Sequence, residues 1–425
     1  MLATSSQTVL PVVQQHAEES AVLWHLRSVL VIAPHVRLFQ LRRFDDRLAA
    51  HLDGLAVAGE FGWKLCEVAV GTLGSGEVFA AAVRAIEDKN GGRLDKLSAL
   101  AQSAPQAQRG LVSAFGWVSA RYLQGTTKDL LSSTDPFKRQ VGIAACAMHQ
   151  VDPGDILGVA IRDKDASLRA QALRAACELG RLDLLAEIRA ALSEADEQIR
   201  FWSAWAAVLL GDRGDSLNVL TQISRGESAF VPGAMRLLLK ATTIDWGHEF
   251  LRALAKAVDK NPAMKRRLIR ACGMVGETQY VPWLISLMSD DQLARLAGES
   301  LSMTTGLDIT YLNLDRKPLE NNESGANDDP NDDNVTMDED DNLPWPDPVK
   351  IQAWWDANKS RFTDGVRYFM GAPVTRAHCL QVLKEGYQRQ RIAAAEYLCL
   401  LQPGTQLFPT GAPAWRQQRW LAKMG

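Results

Sequence analysis

The sequence predicts an all-α fold, a solenoid in which helical hairpins stack one after another, with one acidic disordered insertion. A motif recurs about every 30 residues along the middle of the chain. No segment alternates apolar and polar residues as a half-buried strand does. The 425 residues also exceed the size of one ordinary domain. An array that grows by stacking repeats accounts for all three observations.

The recurring motif is an aliphatic residue, a basic residue, an apolar run and a glycine eleven places after the base. The clearest copies are Leu168-Arg169 with Gly180, Ile199-Arg200 with Gly211, Met264-Lys265 with Gly276, and Ala294-Arg295 with Gly306. A weaker copy has Arg139, with Gln150 at the glycine position. Successive bases lie 30, 31, 65 and 30 residues apart. The long gap predicts a degenerate copy near Pro232.

Each copy predicts the second helix of a hairpin. The glycine suits the left-handed residue that ends a helix. An Asp or Asn stands a few residues before each base, where its side-chain oxygen can cap the helix. These residues are Asp135, Asp165, Asp196, Asn261 and Asp291. The core face of the clearest copy carries Leu168, Ala172, Ala175, Ala176 and Leu179. Amphipathic stretches at 182–192 and 280–288 predict the first helices of hairpins.

This pattern resembles the short HEAT-like repeats first described in phycobilisome lyases, which occur in many bacterial proteins. The resemblance covers residues 108–306 and implies a HEAT-like α-solenoid, a superhelix of helical hairpins. Arg391 marks a further copy at 390–398. It lies 96 residues after Arg295, so an insertion interrupts the array.

A second resemblance covers most of the chain. The segments that carry it are His25-Leu26-Arg27, Arg42-Arg43-Phe44-Asp45, Gly386-Tyr387-Gln388-Arg389-Gln390-Arg391, Pro403-Gly404 and Ala412-Pro413-Ala414-Trp415-Arg416-Gln417-Gln418. They are similar to segments of a bacterial family of uncharacterised HEAT-repeat proteins. Genes of that family are often found near type VI secretion components. The resemblance therefore implies a setting in bacterial secretion, but the segments are not catalytic signatures.

Four regions follow from these patterns. They are an N-terminal helical cap region at 1–107, the HEAT-like repeats at 108–312, an acidic flexible insertion at 313–342, and a C-terminal helical region with a resumed repeat at 343–425. Between Leu319 and Val349 there are eleven acids and no base, which predicts a mobile loop. That loop is either a solvated insertion or a docking arm for a basic partner.

The composition predicts a cytoplasmic protein. Its six cysteines are far apart and mostly lie inside apolar helical patterns, as expected of reduced core residues. Residues 1–13 have no base before an apolar stretch, and no apolar run approaches the roughly 18 residues of a membrane span. The formal charge is −3. Outside the acidic stretch the excess of bases is too dilute to predict nucleic-acid binding.

Catalytic motifs are weak. His248-Glu249 is a single His-Glu pair, whereas the HEAT-repeat hydroxylases hold di-iron with several. The glycine-rich run at 71–76 lacks the Lys-Ser/Thr of a phosphate loop and indicates a turn between helices. We therefore expect no catalytic, metal-binding or cofactor-binding residue, and no enzymatic activity.

The helix predicted at 199–210 has the sequence IRFWSAWAAVLL and is apolar on every side. Either another part of the chain covers its aromatic residues, as is normal for such a helix, or they are exposed anchors for a protein or peptide. The candidate partner-binding residues are Phe201, Trp202, Trp205, Arg174, Arg267 and Arg270. The last two belong to the densest basic cluster, 265–270, which a single repeat supplies.

These observations together predict a non-catalytic protein-binding scaffold, adaptor or chaperone. Its expected partner is a secretion effector, a toxin or a secretion component, and no membrane partner is expected. An immunity protein that binds a cognate toxin would have the same physical basis. The rival class is a HEAT-type enzyme, a lyase or a DNA glycosylase, which needs a paired-carboxylate or metal site on the concave face.

Overall fold

The computed structural model describes residues 9–258, 261, 263–317 and 340–424. The chain divides into two compact units. The first unit comprises Met1–Val219, Lys384–Ala395 and Gln402–Gly425, and the second comprises Leu220–Leu383 and Glu396–Leu401. Each unit therefore combines part of the repeat region with part of the C-terminal region. The four regions predicted from sequence stay a prediction.

The predicted all-α, repeat-type fold is confirmed within the described residues. Thirteen of the helices lie in the first unit. They are α1 Leu10–Leu30, α2 Leu38–Val57, α3 Gly59–Ala69, α4 Ser75–Glu87, α5 Gly91–Ser103, α6 Pro105–Trp117, α7 Thr126–Leu131, α8 Pro136–Met148, α9 Asp155–Ile161, α10 Ala166–Glu178, α11 Leu185–Ala190, α12 Glu197–Leu209 and α22 Ala414–Leu421.

The second unit contains six helices and one small antiparallel sheet. They are α14 Val231–Ala241, α15 Ile244–Val258, α16 Ala263–Val275, α17 Val281–Ser286, α18 Asp291–Thr305, α19 Pro348–Asn358, β1 Tyr368–Phe369 and β2 Ala372–Pro373. Three further helices contribute residues to both units, namely α13 Asp215–Ser224, α20 Arg376–Glu385 and α21 Gln388–Leu401. None of the described helices is long and apolar enough to cross a membrane.

The repeat prediction is confirmed in detail. The second helices of the hairpins are α8, α10, α12, α14, α16 and α18. The repeat glycines that follow four of them have positive φ angles, which are 69° at Gly180, 103° at Gly211, 72° at Gly276 and 72° at Gly306. Gln150 occupies the same position after α8, with φ 57°. The degenerate copy near Pro232 is α14, which has that proline in its first turn.

The predicted caps of α8, α10 and α12 are confirmed, and the predicted cap of α16, Asn261, stays a prediction. The carboxylates of Asp135, Asp165 and Asp196 accept hydrogen bonds from backbone N–H groups in the first turns of α8, α10 and α12. The cap of α18 is Asp290, which accepts from the backbone N–H of Gln292 at 3.1 Å. The prediction of Asp291 as this cap was wrong. Two adjacent aspartates satisfy the same pattern, and only the backbone geometry distinguishes them.

The predicted core face of α10 is buried. All five of its residues, from Leu168 to Leu179, are at most 6% exposed. Alanines on this face let α10 pack closely against α8 and α12. The six cysteines are also buried and form no disulfide bonds, so their prediction as reduced core residues is confirmed.

A later part of the chain packs across the helix ends of the first unit. Residues 403–413, called the first return segment, reach the C-terminal ends of α10 and α12. The backbone N–H of Leu407 donates to the carbonyl of Glu178 at 3.1 Å. A Cβ atom on Gly180 would lie under 3.0 Å from the carbonyl oxygen of Gly404. The repeat glycine therefore provides both a left-handed turn and room for a neighbouring backbone.

The second unit repeats this arrangement with a different segment. Residues 365–371, called the second return segment, donate backbone hydrogen bonds to carbonyls at the ends of α16 and α18, from Tyr368 to Gly276 and from Met370 to Met303, both at 2.7 Å. The Arg367 guanidinium donates to carbonyls at the ends of α14 and α16, at 2.7 to 3.1 Å. The segment thus satisfies carbonyls that a helix leaves unbonded at its C-terminus.

The predicted acidic insertion falls largely on 318–339, outside the described residues. Its two ends are ordered, which corrects the prediction for 313–317 and 340–342. Asp340 is 2% exposed, and its carboxylate accepts from Arg266 at 2.6 Å. The backbone N–H of Arg316 donates to the carbonyl of Trp345 at 2.8 Å. Residues 343–347 are not helical, and α19 begins at Pro348.

Candidate protein-binding cleft

A cleft of about 410 Å³ opens in the first unit. Helices α1, α4, α6, α8 and α10 and the first return segment contribute its walls. This volume lies near the lower end of the range for ligand pockets. It admits a few side chains of a bound segment.

Aromatic side chains form the floor of the cleft. Trp24, Phe79 and Trp117 line it and are at most 7% exposed. Trp24 stacks on Phe79 with ring centroids 5.9 Å apart, and Phe79 meets Trp117 edge to face at 5.9 Å. Such contacts fix the ring orientations. The floor is therefore a rigid apolar surface.

Hydrogen bonds from two side chains fix the C-terminal end of α6, which carries Trp117 of the floor. Arg416 of α22 donates to the carbonyls of Gly116 and Val118 at 2.7 Å each, which closes the C-terminal end of α6. Burial lowers the pKa of Arg416 to about 10. The Nε2–H group of His149 donates to the carbonyl of Phe115 at 2.8 Å. Burial, assisted by the Arg416 charge, lowers the pKa of His149 to about 4.

Three arginines line the cleft, namely Arg27, Arg109 and Arg174, and Arg27 has a structural role. The Arg27 guanidinium donates from Nε and Nη2 to the two carboxylate oxygens of Asp45, at 2.6 and 3.3 Å, and from Nη1 to the carbonyl of Gly411 at 3.1 Å. Asp45 is fully buried and also accepts from the backbone N–H of Ala414 at 2.7 Å. Arg27 therefore ties α1 to α2 and to the first return segment.

The other two arginines are accessible. Arg174 pairs with Glu178 through Nε at 2.7 Å, and its side chain is 49% exposed. Its guanidinium lies 5.1 Å from the ring centroid of Trp202. Arg109 is exposed, and within the described residues its side chain has no ion pair. Two guanidinium groups thus face solvent beside an aromatic floor.

The structure unites some of the sequence-predicted residues and separates others. Phe201 and Trp205 are only 4% and 5% exposed. For these two residues the interpretation that the chain itself covers them holds, and the exposed-anchor interpretation does not. Trp202 is half-buried beside Arg174, which lines the cleft. A role of Trp202 in partner binding stays a prediction.

Arg267 and Arg270 belong to the second unit and are half-buried. Arg267 donates to the carbonyl of Gly226 at 3.2 Å, and the neighbouring Arg266 pairs with Asp340. The chain thus uses part of this basic cluster internally, which leaves less positive charge for a partner. A role of Arg267 and Arg270 in binding stays a prediction.

His248 pairs with Glu277 and not with Glu249, the next residue in the sequence. Its Nε2 contacts the buried carboxylate of Glu277, whose other oxygen accepts from the backbone N–H of Gly365 at 3.0 Å. Gln279 donates to the same carboxylate at 2.6 Å. This cluster anchors the second return segment. No group of three or more His, Cys, Asp or Glu side chains is arranged for a metal ion in the described parts of the chain.

A buried ion network stabilises the second unit. The Glu396 carboxylate accepts from Arg236 at 2.9 Å and from Lys240 at 2.6 Å. Burial alone would raise the pKa of Glu396, but the charges of Arg236 and Lys240 outweigh it and hold that pKa below its usual value. Burial lowers the pKa of Lys240. The side chains of Lys240 and Glu396 are at most 3% exposed and pair with each other, so we assign the network to stability.

Sequence reasoning found Arg174 but missed Trp24, Trp117 and Arg109. Periodicity indicates which face of a helix is buried, but not which helices converge on one cleft. No protein-family model matches the chain, and no curated protein matches it. The site therefore rests on its geometry.

Proposed function

We propose that the protein is a non-catalytic protein-binding scaffold or adaptor, and that the cleft of the first unit receives a segment of its partner. The observation that carries the proposal is a rigid aromatic floor beside two accessible arginines. Aromatic residues and arginine dominate the energetics of protein interfaces. A desolvated apolar floor with a polar rim is the usual anatomy of such interfaces.

The dimensions of the cleft favour a segment over a folded domain. About 410 Å³ accommodates a few side chains, whereas a stable interface usually buries about 800 Å² on each partner. The surrounding helix surfaces would supply the remaining contact area. A scaffold of stacked helices is suited to this task because it presents an extended surface.

The proposed partner is an effector of a bacterial secretion system, or a component that loads it. Only the resemblance of the segments at 25–27, 42–45 and 386–418 supports this part of the proposal. The same cleft would allow an immunity protein to cover a toxin. The two roles differ in consequence, because an immunity protein must abolish the activity of its partner and an adaptor need not.

Affinity purification of the full chain from its native cytoplasm, followed by mass spectrometry, tests the proposal. The double variant Arg109→Glu/Arg174→Glu should lose a protein that the unaltered chain retains. Arg162→Glu is the matched control, because Arg162 is an exposed arginine of the first unit that does not line the cleft. Equal recovery by all three proteins would refute the cleft as the binding site. Recovery of nucleic acid without a protein partner would refute the function.

Co-expression of the recovered partner distinguishes adaptor from immunity protein. An adaptor should leave the intrinsic activity of its partner intact once the complex dissociates. If the partner is toxic on its own and harmless with this chain, the protein is an immunity protein. The Arg109→Glu/Arg174→Glu variant should then fail to protect.

A further inference from the structure

We propose that the cleft selects an acidic-apolar segment, in which an Asp or Glu side chain pairs with Arg109 and Arg174 while a neighbouring apolar side chain packs on the aromatic floor. The ligand is a segment of another protein. This inference rests on the proposed function and adds the chemistry of the partner to it.

The charges in the cleft are not balanced within the described residues. Asp45 neutralises Arg27 through two hydrogen bonds, and Glu178 neutralises Arg174 through one. Arg109 has no carboxylate partner among the described residues. The excess positive charge attracts acidic segments and disfavours basic ones. Charge complementarity therefore predicts that the bound segment of the partner is negatively charged.

The geometry of Arg174 prepares it for a carboxylate. Its guanidinium is oriented by Glu178 at 2.7 Å and by the Trp202 ring at 5.1 Å. Within the described residues only its Nε donates a hydrogen bond. Both terminal amino groups remain available, and a guanidinium presents them in the planar fork that suits carboxylate oxygens.

The floor requires an apolar side chain, but an apolar ligand alone would bind poorly. Packing on Trp24, Phe79 and Trp117 removes water from the mouth of the cleft. Covering Arg109 in this way without a carboxylate would leave a desolvated charge unpaired, which is costly. A carboxylate next to the apolar side chain removes this cost. The apolar floor and the charged rim therefore impose a combined requirement on one ligand.

Selection from a library of randomised, displayed heptapeptides on the full chain tests the inference. Enriched peptides should carry Asp or Glu within two positions of Phe, Leu, Ile or Trp. The affinity of such a peptide, measured by fluorescence anisotropy, should fall about tenfold for Arg109→Gln and at least as much for the double variant with Arg174→Gln. It should also fall when the acids are replaced by Asn or Gln. Arg162→Gln should leave it unchanged.

Charge reversal provides a second readout that a folding defect would not imitate. The Arg109→Glu/Arg174→Glu variant should select peptides with Lys or Arg in place of the acids. Both arginines are exposed, so the melting temperature should stay close to that of the unaltered chain. If Arg174→Glu disturbs α10 by repelling Glu178, the Arg109→Gln variant and its double variant with Arg174→Gln still test whether the arginines bind the peptide.

The outcomes separate this inference from the function on which it rests. Enrichment of purely apolar or basic peptides would overturn the acidic-apolar specificity, even if affinity purification recovers a protein. Acidic-apolar peptides whose binding ignores both arginines would overturn the assigned site. Failure to enrich any peptide, with a partner still recovered, would also overturn it. Failure of both experiments would overturn the proposed function itself. Binding of free aromatic carboxylic acids as tightly as the peptides would identify a small-molecule site instead.

Discussion

Replacing Gly180 by Ala should lower the free energy of unfolding of the first unit by about 2–3 kcal/mol. The left-handed conformation, with φ 69°, costs about 1–2 kcal/mol for a residue with a Cβ atom. The new Cβ would also lie under 3.0 Å from the carbonyl oxygen of Gly404. The first return segment must move away, and the hydrogen bond from Leu407 to Glu178 contributes about a further 1 kcal/mol.

Gly59→Ala is the matched control, because Gly59 has φ 55° and nothing lies within 4 Å of its Cβ position. It should cost only the backbone contribution, about 1–2 kcal/mol. Gly211→Ala should fall between the two, since its Cβ would meet the Pro403 ring at 2.9 Å. Urea unfolding gives the totals, and hydrogen exchange at the Leu407 amide reports the return segment. Equal costs for Gly180→Ala and Gly59→Ala, with unchanged Leu407 protection, would refute the reasoning.

Three other predictions concern stability. Glu396→Ala should cost about 3–5 kcal/mol in urea unfolding, because Lys240 stays buried without its carboxylate; a cost below 1 kcal/mol would contradict this. Leu23→Ala should lower the free energy of unfolding by about 2–5 kcal/mol, because Leu23 is only 1% exposed. The adjacent Val22→Ala should lower it by less than about 0.5 kcal/mol, because Val22 is 55% exposed. Similar melting temperatures of the two variants would show that α1 does not pack as described. The free energy of unfolding should fall as the pH drops from 6.5 toward about 4, by up to about 1.4 kcal/mol per pH unit, because the unfolded chain protonates His149 in this range and the folded chain does not. The variant His149→Gln should flatten this pH dependence. A pH profile that the substitution leaves unchanged would refute the role of His149.

The repeat could be predicted because its signals are local. Caps such as Asp165 and Asp196 act within one turn of their own helices. The face from Leu168 to Leu179 follows from helical periodicity alone. The error at α18 was also local, since Asp290 and Asp291 stand side by side and either could cap the helix.

The candidate site could be predicted only in part. Arg174 was found because it belongs to a clear repeat copy. The interpretation of Trp205 depended on what covers its face, and burial of this residue cannot be derived from its own helix. Arg109 and Trp117 were missed because they lie before the first copy of the motif, at Arg139, where no motif indicates the inward face. Trp117 meets Trp415 of α22 edge to face, with ring centroids 4.8 Å apart, so this contact joins residues about 300 positions apart.

The sequence by itself determined approximately where the repeat helices begin and end, and that a glycine or a tolerant residue such as Gln150 follows five of the six. Capping and left-handed turns depend on a few consecutive residues, so they can be predicted from the sequence. Only the tertiary structure decided that Gly180 faces Gly404 and that Gly276 faces Tyr368. Such contacts depend on how a distant segment returns to a helix end, and no local preference specifies that path. The cleft exists because of this return, which is why its residues became visible only in three dimensions.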